Sequence, residues 1–344
     1  MSRPIECAAV LFSLVFCNGF SAAATVYNIP PDAAPIAIAA GEIINLGVGG
    51  SLPPAYTMPA ATTLNVEGGI YSPRPIGVPF TSSGNVNIYS TTDPNGPLTM
   101  IGGILNVYGG SLSAVSEDGK VNLFGGHFTY LLTGERDLPG ASKFRMSGGS
   151  VESFDSPFRS EIEILGGAIT TLAFPSHTKI IINGGMIGSL ESAFASPVAM
   201  SAGSVDTASI ASNTVMTVSG GSLGSTFEAF DNSELHLIGT RFELDGLPIA
   251  GLTFGESLVV HERNLDLDGV LLDGSSIHLH LSTDIDSGQF FSANSTLRLS
   301  LVPESSTLVF VVYAACAALA VRCRRAAINL DSTAINHTSI RVQR

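Results

Sequence analysis

The chain contains no tryptophan and few charged residues, since Asp, Glu, Lys and Arg make up only 13% of its 344 residues. Its 16 Lys and Arg are outnumbered by 29 Asp and Glu, which gives a formal net charge of −13. Nucleic-acid binding requires basic side chains that neutralise phosphates. The composition therefore argues against a nucleic-acid partner and fits a solvated acidic surface.

Cysteine is confined to the two ends of the chain. The four cysteines are Cys7, Cys17, Cys316 and Cys323, and none lies between residues 18 and 315. The body of the protein therefore has no disulfide framework and no cysteine metal site.

Helical periodicity is nearly absent between residues 40 and 300, whereas glycine is abundant, at 37 residues. Many glycines stand in pairs, with Ala202-Gly203 filling one step and Gly239-Thr240 ending the series. The pairs are Gly49-Gly50, Gly68-Gly69, Gly109-Gly110, Gly125-Gly126, Gly148-Gly149, Gly166-Gly167, Gly184-Gly185 and Gly220-Gly221. A fixed period of about 18 residues is typical of repeat architectures.

Each glycine pair follows a short segment of alternating apolar and polar residues, as in residues 105–108 and 162–165. Such alternation indicates a strand with one buried face. Two further series of apolar positions follow the pairs. They are Leu112, Phe128, Val151, Ile169, Ile187, Val205, Leu223 and Phe242, and then Val115, Leu131, Phe154, Leu172 and Leu190.

This formula predicts an all-β protein, a single-stranded parallel β-helix over residues 43–239 with turns of about 18–19 residues. The alternative is a β-sandwich with glycine-rich turns, but sandwich strands do not repeat one in-register formula so often.

The remaining segments divide the chain further. Residues 1–24 have the apolar run and small residues of a signal peptide, and residues 25–42 are expected to lead into the solenoid as its N-terminal cap. Residues 240–301 alternate around Asp-Gly turns, which predicts a small C-terminal β cap. Residues 133–142 read as a loop insertion, a common place for binding function in a solenoid. Residues 326–344 are expected to form a disordered tail.

The C-terminal region combines Val302-Pro303-Glu304, an apolar run over residues 308–321 and the basic cluster Arg322-Cys323-Arg324-Arg325. This order in residues 302–325 resembles the PEP-CTERM sorting signal, although Ser305 replaces the second proline and the chain continues to Arg344. The resemblance implies a bacterial, exported protein held by a C-terminal hydrophobic helix and processed by an exosortase-like peptidase, often alongside exopolysaccharide production. The alternative is a buried strand of the cap.

Two metal sites are conceivable from the sequence. His278 and His280 are two residues apart, so on a strand they share a face, and His236 or His261 could complete a zinc site. Because Ile277, Leu279 and Leu281 should face inward, we expect the histidines to lie on the solvated face. Asp266, Asp268 and Asp273 suggest calcium, but the β-roll nonapeptide and the EF-hand loop are absent. We therefore predict no metal and no cofactor.

An enzyme of the polysaccharide lyase or hydrolase type would need clustered carboxylates on one face. The outward positions of the main strand are Asn106, Asn122, Arg145, Glu163, Ile181, Ala199, Thr217 and His236. Only Arg145 and Glu163 are neighbours of the required kind, so we predict no catalytic residues.

The sequence thus predicts an exported, non-catalytic solenoid of the cell surface or extracellular matrix. Its expected partners are the sorting peptidase, extracellular polysaccharide and, through residues 308–321, the membrane. The alternative is a carbohydrate-active or carbohydrate-binding β-helix.

Overall fold

The computed structural model describes residues 24–53, 56–68, 80–90, 97–134, 142–156, 159–173, 176–192 and 194–303. Over these residues the protein is an all-β parallel solenoid of about ten turns, which confirms the predicted all-β parallel β-helix. The predicted signal peptide, the core of the 133–142 insertion, the C-terminal hydrophobic helix and the tail lie outside the described residues.

Most of the described strands have two to eight residues, three of them have 11–14, and a 3₁₀ turn spans Ile285–Ser287. They are β1 (Val26–Ile29), β2 (Ile43–Gly47), β3 (Thr57–Met58), β4 (Thr63–Glu67), β5 (Phe80–Ser82), β6 (Asn85–Ser90), β7 (Leu98–Ile101), β8 (Ile104–Val107), β9 (Ser111–Glu117), β10 (Lys120–Leu123), β11 (His127–Thr133), β12 (Ser142–Met146), β13 (Ser150–Asp155), β14 (Ser160–Ile164), β15 (Ala168–Ala173), β16 (Lys179–Ser192), β17 (Val198–Ile210), β18 (Val215–Val218), β19 (Ser222–Ala229), β20 (Glu234–Leu244), β21 (Leu247–Pro248), β22 (Ser257–Val260), β23 (Asp266–Leu271), β24 (Ser276–His280), β25 (Gln289–Phe291) and β26 (Thr296–Leu301).

Two stacks of parallel strands form the two main faces of the solenoid. The first face is β1, β2, β4, β6, β8, β10, β12 and β14, then the first halves of β16 and β17, then β18, β20 and β26. The second face is β3, β5, β7, β9, β11, β13 and β15, then the second halves of β16 and β17, then β19 and β25.

The inward side chains of the first face form continuous apolar columns. One column, fully or almost fully buried, is Ile44, Leu64, Val86, Leu105, Val121, Phe144, Ile162, Ile180, Val198, Met216, Leu235 and Leu297. Burying one such side chain contributes about 1.5–3 kcal/mol. Successive turns therefore hold together mainly through this shared core.

The second face follows the predicted apolar series with one difference. Leu131, Phe154, Leu172 and Leu190 are fully buried as expected, but in β9 Ala114 occupies this column and Val115 is only half-buried. The cause is a bulge between Phe128 and Tyr130, because an extra residue in one strand shifts its alternation relative to the next.

The glycine pairs are required by the close approach of successive turns. At Gly125, an added Cβ would lie 2.5 Å from the carbonyl oxygen of Tyr108 in the preceding turn. Gly126 adopts φ +83°, and its Cβ would lie 2.8 Å from the carbonyl oxygen of Gly110. One glycine thus removes a clash and the other also takes a left-handed conformation.

The solenoid begins at β1, which pairs in parallel with β2, one strand before the predicted boundary at residue 43. The outer edge of β1 is partly closed by its own chain. Asn28 N–H donates to the Asp32 carboxylate at 2.8 Å, and Asp32 N–H donates to the Asn28 carbonyl oxygen at 2.8 Å. Local pairing of this kind protects an exposed strand edge.

The C-terminal segment contains an antiparallel hairpin. The end of β20 pairs antiparallel with β23, and β23 pairs antiparallel with β24. The chain then returns to the solenoid, because β25 pairs in parallel with β19 and β26 pairs in parallel with β20. The sequence did not predict this last parallel turn, since the hairpin insertion interrupts the period.

Candidate functional surfaces

The outward positions of the first face form a ladder of asparagine side chains. Each Nδ2 donates to the Oδ1 of the asparagine one turn earlier, at distances of 2.7–2.8 Å. The members of this asparagine ladder are Asn28, Asn45, Asn65, Asn87, Asn106 and Asn122. In-register parallel stacking places identical side chains one strand spacing apart, the geometry in which amides pair. The ladder therefore uses its polar groups to join turns.

Charged residues continue the same row. Arg145 pairs with Asn122 in strand register, and its Nε lies 2.9 Å from Glu163 Oε2 in the following turn. The structure thus brings together the two predicted neighbours as an ion pair. The row then continues through Ile181, Ala199 and Thr217 to His236, and none of these adds a second carboxylate to Glu163.

A parallel ion-pair row lies beside it. Lys143 Nζ and Lys179 Nζ lie 3.2 and 3.4 Å from the two oxygens of Glu161. Hydrogen bonds from Lys143 and Lys179 lower the pKa of Glu161 below its ordinary value. This arrangement again links three successive turns.

Three aromatic rings stack next to the asparagine ladder. Tyr89 and Tyr108 have centroids 5.0 Å apart and planes 6° apart, and Tyr108 and Phe124 have centroids 4.9 Å apart and planes 9° apart. The rings are 46%, 45% and 45% exposed. Their faces contact one another, so they present mainly their edges to solvent. The sequence analysis missed this stack, although its signal is an aromatic residue two positions after each of the last three ladder asparagines, Asn87, Asn106 and Asn122.

His278 and His280, the first two histidines considered for zinc, each pair with an aspartate. His278 Nδ1 lies 2.9 Å from Asp268 Oδ1, and His280 Nδ1 lies 2.7 Å from Asp266 Oδ1. Ile277, Leu279 and Leu281 are buried behind them, which confirms that these two histidines face solvent. The sequence treated the histidines and aspartates as separate candidates, but the antiparallel register of β23 and β24 pairs them.

The other two histidines lie elsewhere. His236 Nε2 is 2.8 Å from the Ser300 hydroxyl, and burial lowers the pKa of its imidazole. His261 is exposed in the segment after β22. Across the described residues, no group of three or more His, Cys, Asp and Glu side chains could hold a metal ion.

Asp273 docks the tip of the β23–β24 hairpin onto the solenoid. Its Oδ2 accepts a hydrogen bond from Gly221 N–H at 2.7 Å, and its Oδ1 accepts from Ser275 N–H at 2.9 Å. Desolvation by burial would raise the pKa of this carboxyl, but the hydrogen bonds outweigh it and the pKa lies below its ordinary value. The proposed calcium ligand is therefore a structural contact.

A cleft of about 350 Å³ opens on the second face near its C-terminal end. It is lined by Ser189, Glu191, Ser192, Thr207, Ser209, Ala211, Glu228 and Phe230. Glu191, Ser209 and Glu228 lie in strand register, so the two carboxylates are two strand spacings apart, about 9–10 Å between Cα atoms. The sequence analysis missed this pair because it examined only the outward row of the first face.

Comparison with models of protein families, with curated proteins and with solved structures finds no match to this chain. In the part of the chain that the structure describes, no helix has the length and apolar character needed to cross a membrane. The predicted span at residues 308–321 lies outside that part.

Proposed function

We propose that this protein is an exported, non-catalytic β-solenoid of the cell surface or extracellular matrix, sorted by its C-terminal segment. The observation that carries the proposal is the use of the outward side chains on the first face. From one turn to the next, asparagine amides form hydrogen bonds, charged side chains form ion pairs and aromatic rings stack. Outward side chains that are already paired with one another favour a rigid structural rod over a catalytic surface.

Export is supported by the sequence of the two ends. The apolar N-terminal run has the features of a signal peptide, and residues 302–325 resemble the PEP-CTERM sorting signal. In this proposal a sorting peptidase of the exosortase type acts on the C-terminal segment, and the arginine cluster holds that end on the cytoplasmic side. Extracellular polysaccharide is the expected surrounding polymer, and nucleic acid is not a partner.

The proposal assigns a capping role to the residues after β20. The last parallel strand, β26, is paired on its other edge by the antiparallel strand β22. Pairing the final edge prevents the solenoid from adding further chains. The hydrophobic helix predicted for residues 308–321 follows this cap and supplies the transient membrane anchor.

Cell fractionation with mass spectrometry of the mature termini tests this function. The expected protein begins near Thr25, ends before Leu308 and is found in the outer or extracellular fraction. Recovery of the intact C-terminus through Arg344 from the inner membrane would contradict sorting and favour a tail-anchored ectodomain.

A carbohydrate-active solenoid is the second candidate, and one observation favours it. Glu191 and Glu228 line the same cleft, and glycosidases use paired carboxylates. Release of reducing ends from neutral polysaccharides, abolished by Glu191→Gln and Glu228→Gln, would support this reading. If purified protein releases no reducing ends while it remains folded, the non-catalytic function stands.

A further inference from the structure

Several polar side chains of the cleft on the second face, unlike those of the asparagine ladder, have no hydrogen-bond partner within the described residues. Thr207, Ser209 and Glu228 are half-buried, and within the described residues their side chains make no hydrogen bond or ion pair. Glu191 accepts one hydrogen bond, from the Ser189 hydroxyl at 3.3 Å. Half-buried polar groups lose part of their hydration without gaining a protein partner. A ligand that hydrogen-bonds to them would restore those bonds.

The chemistry of the lining narrows the class of ligand. Serine and threonine hydroxyls both donate and accept, and ionised carboxylates accept only. The lining therefore matches a molecule that offers many hydroxyl or amine donors together with some acceptors. The two carboxylates are about two strand spacings apart with Ser209 between them, so they form no shared cation site, in agreement with the absence of metal-binding clusters among the described residues.

One end of the cleft is aromatic. Phe230 lines it, and the ring of Phe290 packs against Phe230 with centroids 5.6 Å apart and planes 56° apart. Both rings are half-buried, so part of their apolar surface remains open. A ligand with polar edges and an apolar face, such as a sugar ring, uses both kinds of surface at once.

Charge decides between kinds of sugar. The chain carries a formal net charge of −13, and Glu191 and Glu228 add two negative charges within the cleft. Uronates and sulfated sugars would be repelled, because like charges at short range disfavour binding. Neutral and amino sugars meet carboxylates that accept from their hydroxyl or ammonium groups.

We infer that the cleft lined by Glu191, Ser209, Glu228 and Phe230 binds a glycan segment whose sugars carry no acidic groups. The segment lies across three successive turns of the second face. This inference deepens the proposed function by giving the surface solenoid a site for extracellular polysaccharide, and it rests on that function for its biological setting.

Calorimetric titration of the full-length protein tests the site. The probes are the hexamers of glucose, N-acetylglucosamine and glucosamine, with a hexauronate as the acidic comparison and hexalysine as a purely cationic one. At least one of the three non-acidic hexamers should bind at least about tenfold more tightly than the hexauronate. Glu228→Gln and Ser209→Val should each weaken that binding by about tenfold or more. Glu243→Gln, which removes a half-buried carboxylate outside the cleft, on the hairpin sheet, should leave it unchanged.

Thermal melting of each variant separates loss of the site from loss of the fold. A folded Glu228→Gln variant that binds as tightly as the parent protein overturns the inference. So does an absence of binding by all three non-acidic hexamers, hexauronate binding of equal strength, or binding of hexalysine alone. Failure here leaves the proposed cell-surface location untouched, since fractionation measures that location independently. A mislocalised protein that still binds the hexamer would contradict the proposed function alone.

Discussion

The asparagine ladder of the first face and the cleft of the second face use polar side chains in opposite ways. On the first face, Asn106 donates to Asn87 and accepts from Asn122. On the second face, Thr207, Ser209 and Glu228 occupy equivalent outward positions and have no side-chain partner within the described residues. Complementary residues on successive turns pair with each other, as in the asparagine ladder and the ion-pair rows, whereas the cleft residues leave groups open. The comparison separates a surface that stabilises the rod from one that can bind.

The largest expected effect comes from breaking the turn packing beneath the ladder. Gly126→Ala places a Cβ 2.8 Å from the carbonyl oxygen of Gly110 at φ +83°, and strain and overpacking together should cost about 3 kcal/mol. Gly274→Ala is the control, because Gly274 has φ +86° but nothing within 4 Å of its Cβ. It should cost about 1 kcal/mol. Urea denaturation measures both, and equal losses would show that turn packing is not the cause.

Asn106→Ala tests whether the ladder is stabilising. It removes two amide hydrogen bonds and leaves Asn87 and Asn122 each with one unpaired group, so the free energy of unfolding should fall by about 2 kcal/mol. Ser209→Ala on the second face should change it by less than about 0.5 kcal/mol. Denaturant titration measures the free energy of unfolding of both variants. If Ser209→Ala destabilises the protein as much as Asn106→Ala, the contrast between the ladder and the cleft is wrong.

Tyr108→Ala should have a smaller effect, because the stacked rings are nearly half exposed. Losing contacts with Tyr89 and Phe124 should lower stability by about 1 kcal/mol. Tyr108→Leu is the control, since it keeps apolar bulk without the ring. If Tyr108→Leu is as stable as the parent protein, the stacking itself contributes nothing measurable.

The smallest expected effect concerns pH and the hairpin. The pKa of Asp273 is lower in the folded protein than its ordinary value of 3.8. Its ionised form therefore stabilises docking above pH 3.8, and this contribution is lost as the pH falls through the lower, folded pKa. Amide hydrogen exchange at Gly221 should speed up over that acidic range. In Asp273→Asn the exchange should already be fast and should show no such acid-dependent step, after correction for intrinsic rates.

Much of the fold could be predicted because the solenoid converts sequence spacing into contact. Residues about 18 apart become neighbours on adjacent turns, so the buried column through Ile162 and Ile180 and the outward row through Arg145 and Glu163 followed directly from the period. The same logic fails where the period breaks. The bulge in β11 placed Ala114, and not Val115, in the core column.

The candidate sites could be predicted less well, because they depend on how rows combine in space. The pairing of His278 with Asp268 depends on an antiparallel register, and the docking of Asp273 on Gly221 joins residues far apart in the chain. The cleft combines two adjacent outward rows with a turn residue, Phe230, and no single spacing in the sequence marks such a combination.

The sequence by itself determined the period, the inward columns and the glycine steps, since each is a local requirement of one turn repeated along the chain. The tertiary structure decided which outward groups are satisfied and which stay open. The physical reason is that an outward side chain forms a hydrogen bond between turns only if the residue one turn away can accept or donate it. Asn106 lies one turn from Asn87 and donates a hydrogen bond to it. Ser209 and Phe290 lie one turn to either side of Glu228, and neither pairs with its carboxylate, which remains free to bind.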